Sequence, residues 1–167
     1  MIDGIRLKVC GLTSLVDAEF ADRCGADYFG FIFHPSSPRY LPLEQFRAMA
    51  PRLPDRRKVA VSVEPTLDQL AALRAAGFDH FQIHHALATP PATLHAWSQI
   101  VGREKLWLAP KLPPGEAVPA AVLAAAKFIL FDTYQPGGFG GSGKTGDWSG
   151  FARQQAAHPD HHWILAG

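Results

Sequence analysis

Alternation between strand-like and helix-like segments is the feature that most constrains the fold of this chain. Short apolar runs rich in Val, Ile and Phe alternate with segments whose apolar residues recur at helical spacing. The runs cover residues 7–10, 28–33, 59–63, 80–84, 106–110, 128–132 and 163–166. We count seven strands and six helices in strict alternation, which predicts parallel strands joined by right-handed crossovers.

Helix ends are marked by residues that cap or stop a helix. Ser14 with Asp17, and Thr66 with Gln69, have the spacing of a capping box. We expect helices to begin near Ser14, Pro42, Thr66, Thr89–Pro90 and Asp147. We expect three of them to stop at Gly25, Gly77 and Gly102.

Two architectures satisfy this alternation: a (βα)8 barrel and an open doubly wound sheet. The strands are apolar on both faces, as expected when helices cover one face and a packed interior the other. Periodicity does not choose between them, and 167 residues is short for a whole barrel, which typically needs ~200 or more. We expect a single domain over residues 1–167, with the proline-rich stretches as loops.

Charge and composition exclude several classes of function. A net charge of +1 gives no electrostatic basis for binding nucleic acid or an acidic membrane. No stretch reaches the ~20 apolar residues of a membrane span, and the first residues lack the pattern of a signal peptide. Two cysteines, Cys10 and Cys24, fit a reducing compartment. These features predict a soluble, cytoplasmic protein.

Polar side chains at the carboxyl ends of the strands are the candidates for chemistry, because both architectures place function there. Cys10 ends strand one, His84 strand four and Asp132 strand six, and Arg39 lies in the loop after strand two. A thiol and a carboxyl group across one cavity are a plausible base and acid for moving protons. The structural alternative for Cys10 is a small buried apolar residue. Asp132 closes an apolar run, so its carboxyl group needs a partner or a function.

Several sequence blocks resemble phosphoribosylanthranilate isomerases, and the similarity covers the whole chain. The blocks are KVCGLT at 8–13, GADYFGF at 25–31, SPRY at 37–40, QIH at 82–84, LFD at 130–132, GGSGKT at 140–145, DW at 147–148 and ILAG at 164–167. The resemblance implies a (βα)8 TIM barrel that lacks the last helix, strand and helix. It also implies an Amadori rearrangement of N-(5′-phosphoribosyl)anthranilate, a phosphorylated small molecule, in tryptophan biosynthesis.

The same resemblance implies roles for individual residues. Asp132 would be the general acid that protonates the ribose ring oxygen, and Cys10 the general base that removes the C2′ proton. Arg39 would bind the anthranilate carboxylate. Further substrate contacts would come from Gln82, His84, Gly140, Gly141 and Gly143. Acid–base chemistry of this kind requires no metal and no organic cofactor.

The chain departs from the family pattern at its strand ends and at its last residue. His85 stands where the family commonly has glycine, and Ser62 and Glu64 differ in strand three. The family continues past Gly167 with another helix, an eighth strand and a last helix. We therefore expect the chain alone to be inactive, poorly soluble or oligomeric, because its first and seventh strands would face a gap. The alternative function is a non-catalytic barrel fragment that needs a partner segment or an oligomer; monomer and homodimer are not distinguished.

Two other sequence patterns suggest different functions, nucleotide hydrolysis and metal binding. Residues 138–145 fit the phosphate-binding loop G-x-x-x-x-G-K-[ST], but Gly146 follows and a new cap at Asp147 starts the helix. We therefore do not expect nucleotide hydrolysis. His158, His161 and His162 form a histidine cluster in a polar loop, which we interpret as a solvated turn and not a metal site.

Overall fold

The computed structural model describes residues 4–134 and 146–166. In these residues the chain forms one parallel sheet with helices packed along it. The strands are β1 (Lys8–Cys10), β2 (Tyr28–Ile32), β3 (Arg57–Val63), β4 (His80–His85), β5 (Leu106–Pro110), β6 (Phe128–Phe131) and β7 (His162–Leu165). The helices are α1 (Leu15–Arg23), α2 (Leu43–Met49), α3 (Leu67–Ala75), α4 (Pro91–Val101), α5 (Ala120–Ala125) and α6 (Trp148–Ala157). The predicted alternation of strands and helices is confirmed within these residues.

The strands lie side by side in chain order, β1 to β7, and every neighbouring pair is parallel. A doubly wound sheet would reverse its strand order at a switch point, so this order supports the barrel. The sheet is also strongly curled. Tyr28 of β2 and Trp107 of β5 are three strands apart, about 14 Å in a flat sheet, yet their ring centroids are 5.2 Å apart. The expected barrel-type fold is confirmed.

Curling divides the apolar residues into an inner and an outer core. The outer core lies between sheet and helices and includes Phe31, Phe46 and Phe78, with the last two rings stacked 4.2 Å apart. The inner core joins Tyr28, Ile32, Val59, Val61 and Trp107, with Cys10, Phe128 and Ile164 packed against it. Alternate residues of one strand therefore face opposite cores.

Helix caps agree closely with the sequence signals. Ser14 accepts a hydrogen bond from the Asp17 backbone N–H, and Thr66 and Gln69 form a complete capping box. Asp147 caps α6 by accepting from the Gly150 N–H at 2.8 Å. The positive φ of Gly77, +84°, is the left-handed conformation that stops α3. Pro42 lies one residue before α2 rather than in its first turn.

β1 and β7 are the outermost strands of the sheet. Within the described residues each has one hydrogen-bonded neighbour strand, β2 and β6 respectively. The residues of β1 are half-buried, whereas β4 is buried throughout. No helix in residues 4–134 and 146–166 is long and apolar enough to cross a membrane.

Candidate active site

Three candidate residues from separate strands face the inside of the curled sheet. Cys10 is the last residue of β1, His84 lies near the end of β4, and Asp132 directly follows β6. The His84 Nδ1 atom is 3.9 Å from Asp132 Oδ2. Cys10 packs against the inner core. The sheet curvature therefore brings a thiol, an imidazole and a carboxyl group into one region at the carboxyl ends of the strands.

Gly30 of β2 provides the space beside Cys10. A Cβ atom built on Gly30 would lie 3.1 Å from Cys10 Sγ and 2.9 Å from the Nζ atom of Lys8. Distances this short to a Cβ require something to move, so the absence of a side chain leaves room for both groups. The half-buried thiol of Cys10 is free, with no disulfide partner.

Asp132 is a partly enclosed carboxyl group, with 14% of its side chain exposed. Burial raises its pKa above the ordinary value, because the charged form loses hydration. Two weaker effects lower that pKa: the backbone N–H of Thr133, which donates to Oδ1 at 2.8 Å, and the positive charge of Lys8. A carboxyl group whose pKa is raised keeps its proton closer to neutral pH, as a general acid requires.

His84 is held by its neighbour Gln82 on the same inner face. The Gln82 Nε2 atom lies 2.7 Å from His84 Nε2. This short contact joins the two polar side chains on the inner face of β4. Burial, helped by the charge of Lys8, lowers the His84 pKa to about 4. His84 is therefore neutral at neutral pH, and its 3.9 Å approach to Asp132 is neither an ion pair nor a hydrogen bond.

Arg39 crosses the end of β1 from the loop after β2. Its Nη1 donates to the carbonyl oxygen of Cys10 at 2.8 Å. The guanidinium lies over Gly11, whose hypothetical Cβ would come within 2.8 Å of Nη1 and whose φ is +84°. Both the space and the backbone conformation at Gly11 favour glycine. The exposed guanidinium is thus fixed next to Cys10 with nitrogen donors still available to an anion.

Comparison with known proteins assigns a family to this fold and site. The family model described as N-(5′-phosphoribosyl)anthranilate (PRA) isomerase matches residues 7–167. The chain belongs to the phosphoribosylanthranilate isomerase family. A Pseudomonas putida N-(5′-phosphoribosyl)anthranilate isomerase is 35% identical over 153 residues, which are 89% of this chain and 70% of the relative.

Solved phosphoribosylanthranilate isomerases have the same fold. The Thermus thermophilus structure superposes with a TM-score of 0.76 at 25% identity, covering 96% of this chain and 76% of that chain. A second was solved in complex with reduced 1-(o-carboxyphenylamino)-1-deoxyribulose 5-phosphate. It superposes with a TM-score of 0.67 at 26% identity, covering 96% of this chain and 74% of that chain.

The remaining candidate residues of the isomerase fold are placed as follows. Gly140, Gly141 and Gly143, with most of the phosphate-loop pattern, lie outside the described residues. His161 contacts the carbonyl oxygen of Leu123 at 3.0 Å. His162 begins β7, and its ring lies 4.6 Å from that of Phe128.

Departures from the family pattern face away from the inner site. Ser62 and His85 are buried, and the His85 ring lies 6.1 Å from that of Trp97 in α4. Glu64 has a positive φ of 41°. Its carboxylate accepts from the Ala86 backbone N–H at 2.9 Å. Glu64 thus joins the loop after β3 to the loop after β4.

Lys8 is a charged residue on the inner face that the sequence does not identify as a functional candidate. The alternation within β1 places it on the same face as Cys10. The alternation predicts the face of the strand from which the Lys8 side chain extends, but not the position of its ammonium group.

Proposed function

We propose that this chain catalyses the Amadori rearrangement of N-(5′-phosphoribosyl)anthranilate to 1-(2-carboxyphenylamino)-1-deoxyribulose 5-phosphate in tryptophan biosynthesis. The observation that carries the proposal is a free thiol and a carboxyl group of raised pKa on one inner face, in a chain of this family. A relative of the same fold binds a reduced form of the product named here. The substrate is accordingly a phosphorylated small molecule.

Asp132 acts first in the proposed reaction, as the general acid. Its proton goes to the ribose ring oxygen, the bond from that oxygen to C1′ breaks, and the ring opens to a Schiff base. The raised pKa of Asp132 supports this role because the acid must arrive protonated. His84, neutral and close to Asp132, adds no positive charge that would favour early loss of that proton.

Cys10 acts second, as the general base. The thiolate takes the C2′ proton of the Schiff base, which gives an enolamine, and tautomerisation of the enolamine gives the ketone. Arg39 binds the anthranilate carboxylate through its remaining guanidinium donors, beside the Cys10 carbonyl that it already contacts. Gln82 and His84 orient the substrate from the inner face, and Gly140, Gly141 and Gly143 offer further backbone donors.

Turnover of N-(5′-phosphoribosyl)anthranilate tests the two catalytic roles. Cys10→Ser and Asp132→Asn should each lower kcat by ~10²–10⁴, the usual loss for a general acid or base, with product-analogue binding near that of the parent. The matched controls are Cys24→Ser, at an exposed free thiol, and Asp160→Asn, at an exposed carboxylate. Turnover near the parent value in either site variant would remove that residue from the mechanism.

The turnover assay is repeated on a longer form of the chain. This form adds the C-terminal segment of the Pseudomonas putida relative, since the 167-residue chain spans 70% of that relative's length. Turnover that appears in the extended form and not in the 167-residue chain would support the alternative of a fragment that needs a further segment.

We also infer a cytoplasmic location. The two free thiols, Cys10 and Cys24, support this inference because unpaired cysteines persist in a reducing compartment. Cell fractionation followed by immunoblotting measures it. Recovery in an oxidising compartment would contradict the inference.

A further inference from the structure

Lys8 is a charged residue inside the barrel for which the proposed reaction has no use so far. It precedes Cys10 by two residues on β1, so the two side chains leave the strand on the same face. Both converge on the space above Gly30, where a Cβ would lie 2.9 Å from Lys8 Nζ and 3.1 Å from Cys10 Sγ. The ammonium nitrogen is therefore within about 6 Å of the sulfur, a range in which a cation stabilises a neighbouring anion.

The charge of Lys8 also reaches the opposite side of the site. It lowers the pKa of Asp132 on the β6 side and the pKa of His84 on β4. Lys8 forms no salt bridge with any residue in the described part of the chain. No carboxylate therefore lies within salt-bridge distance of Lys8 in residues 4–134 and 146–166.

We propose that Lys8 is a positioning residue of the isomerisation, whose ammonium beside Cys10 keeps the base in the thiolate form. This proposal rests on the role assigned to Cys10 above. The thiolate, not the thiol, accepts a proton. When it takes the C2′ proton it becomes a neutral thiol, while Lys8 exchanges no proton with the substrate. Gly30 is part of the arrangement, since a side chain there would separate the cation from the sulfur.

Other charged or titratable groups lie on the elements around the inner site, and they do not replace Lys8. They are Arg39 in the loop after β2, His84 on β4, Asp132 after β6, and His34, whose charge acts on His84. Arg39 directs one guanidinium nitrogen to the Cys10 carbonyl oxygen and not to the sulfur. His84 is neutral at neutral pH because its pKa is about 4. Asp132, when ionised, opposes a thiolate. Lys8 is therefore the cation whose placement favours the anionic sulfur.

Alkylation of Cys10 by iodoacetamide tests this pairing without relying on turnover. The chain carries Cys24→Ser, so that Cys10 is the one reactive thiol, and the rate is measured from neutral pH to about pH 10, where an ordinary thiol is ionised. Lys8→Met keeps the length of the side chain and removes its charge. Lys58→Met is the matched control, because Lys58 lies opposite Phe29 of the outer core and its Nζ donates to the Arg56 carbonyl oxygen.

We expect Lys8→Met to slow alkylation at neutral pH by about tenfold, the effect of a one-unit change in proton affinity. The rate should converge with that of the parent near pH 10, and Lys58→Met should match the parent throughout. An unchanged rate at neutral pH would overturn the proposal. So would a loss that persists at high pH, because it would reflect access to the sulfur and not its charge.

Turnover gives a separate readout. Lys8→Met should lower kcat at neutral pH to about one tenth of the parent value and leave KM nearly unchanged, and the ratio of variant to parent kcat should approach one as the pH rises. A loss confined to KM would assign Lys8 to substrate binding and contradict the proposal. The two proposals can fail independently: full turnover in Cys10→Ser would remove Cys10 from the mechanism, whereas the alkylation rates would still report whether Lys8 stabilises its thiolate.

Discussion

Gly30 has no side chain, and this leaves room for Lys8 and Cys10 in the candidate site. Its hypothetical Cβ would lie 2.9 Å from both Cε and Nζ of Lys8 and 3.1 Å from Cys10 Sγ. The nearest atoms belong to the far end of a flexible side chain, which can move at low cost. Substitution there should therefore disturb the site more than the fold.

Gly30→Ala should lower kcat by at least about tenfold, because the new methyl group displaces the Lys8 ammonium from Cys10. The free energy of unfolding should change by less than about 1 kcal/mol, since alanine is well tolerated in ordinary strand backbone. Steady-state kinetics and urea unfolding measure the two effects. A large loss of stability with unchanged kcat would show that Gly30 serves packing instead.

Arg39→Ala should chiefly raise KM, because a carboxylate contact made equally in the ground and transition states contributes to binding more than to kcat. Its Nη1 also donates to the Cys10 carbonyl oxygen, so Arg39→Lys, which retains the charge but not the planar fork, is an informative comparison. We expect Arg39→Lys to recover part of the affinity. An effect confined to kcat would contradict the assignment of Arg39 to the carboxylate.

For single residues, the sequence predicts which face of the sheet a side chain occupies better than it predicts the distances between side-chain atoms. Cys10, His84 and Asp132 follow from strand ends and family blocks, and all three lie on the inner face. The approach of Lys8 Nζ to Cys10 depends on the space at Gly30 and on a flexible four-carbon chain. No local pattern encodes either quantity.

The capping box of α3 is a clear case in which one element follows from a few residues. Thr66 accepts from the Gln69 N–H at 3.2 Å, and Gln69 Oε1 accepts from the Thr66 N–H at 2.9 Å. Thr66→Ala should reduce the free energy of unfolding by about 1 kcal/mol, because it leaves a helix N–H without its acceptor. Urea unfolding measures this, with Thr66→Ser as the control that keeps the hydroxyl group. Equal losses in the two variants would contradict the capping role.

β4 carries buried titratable side chains and should make stability depend on pH. Burial lowers the pKa values of His80 and His84 to about 4, whereas an unfolded histidine has a pKa of about 6.5. Between these values the unfolded chain binds protons that the folded chain does not, so stability is lost as the pH falls from about 6.5 toward 4. The raised pKa of Asp132 acts in the opposite sense and offsets part of the loss.

His80→Phe should remove one of these contributions. The buried His80 ring packs 5.0 Å from Trp107 and 5.5 Å from Phe128, so an apolar ring of similar shape keeps this packing and removes the titration. Between pH 7 and pH 5 the free energy of unfolding should fall by about 2 kcal/mol less in the variant than in the parent. At pH 7 the two free energies should be nearly equal. Denaturant unfolding at both pH values measures the difference, and identical losses in parent and variant would refute it.

Elements were predicted well where their signals are local. The caps at Ser14, Thr66 and Asp147 bond within three residues of themselves, so the sequence contains both partners. The apolar run predicts a start of β3 at Val59, two residues later than the observed start, because Arg57 and Lys58 are polar and yet pair with β2. Such pairing depends on a distant strand.

The barrel-type curvature is the feature of the whole molecule that periodicity did not predict. Alternating apolar segments fit an open sheet equally well. Sequential strand order and the 5.2 Å contact between Tyr28 and Trp107 across three strands distinguish the two architectures. Those facts depend on register and curvature summed over many strands. Resemblance to a family, and not the alternation itself, therefore led to the barrel prediction.

Order across the molecule should follow the position of each strand in the sheet. β4 and β5 have hydrogen-bonded strands on both sides and are buried throughout, whereas β1 and β7 have one neighbour strand each among the described residues. Local opening costs least where few buried contacts break. Cys10, the proposed base, thus lies on a strand with less support than the strand that carries His84.

Amide hydrogen exchange tests this ranking and its link to function. We expect the slowest exchange in β4 and β5, and faster exchange in β1 and β7, because the outer strands open without global unfolding. Saturation with the reduced product analogue bound by the solved relative should slow exchange in β1 more than in β4, since a ligand held beside Cys10 and Arg39 must stabilise the closed form of that strand. Exchange in β1 as slow as in β4 without ligand would show that its outer edge is covered in solution. Unchanged exchange in β1 at saturation would place the ligand away from Cys10, and the catalytic assignment would then fail with it.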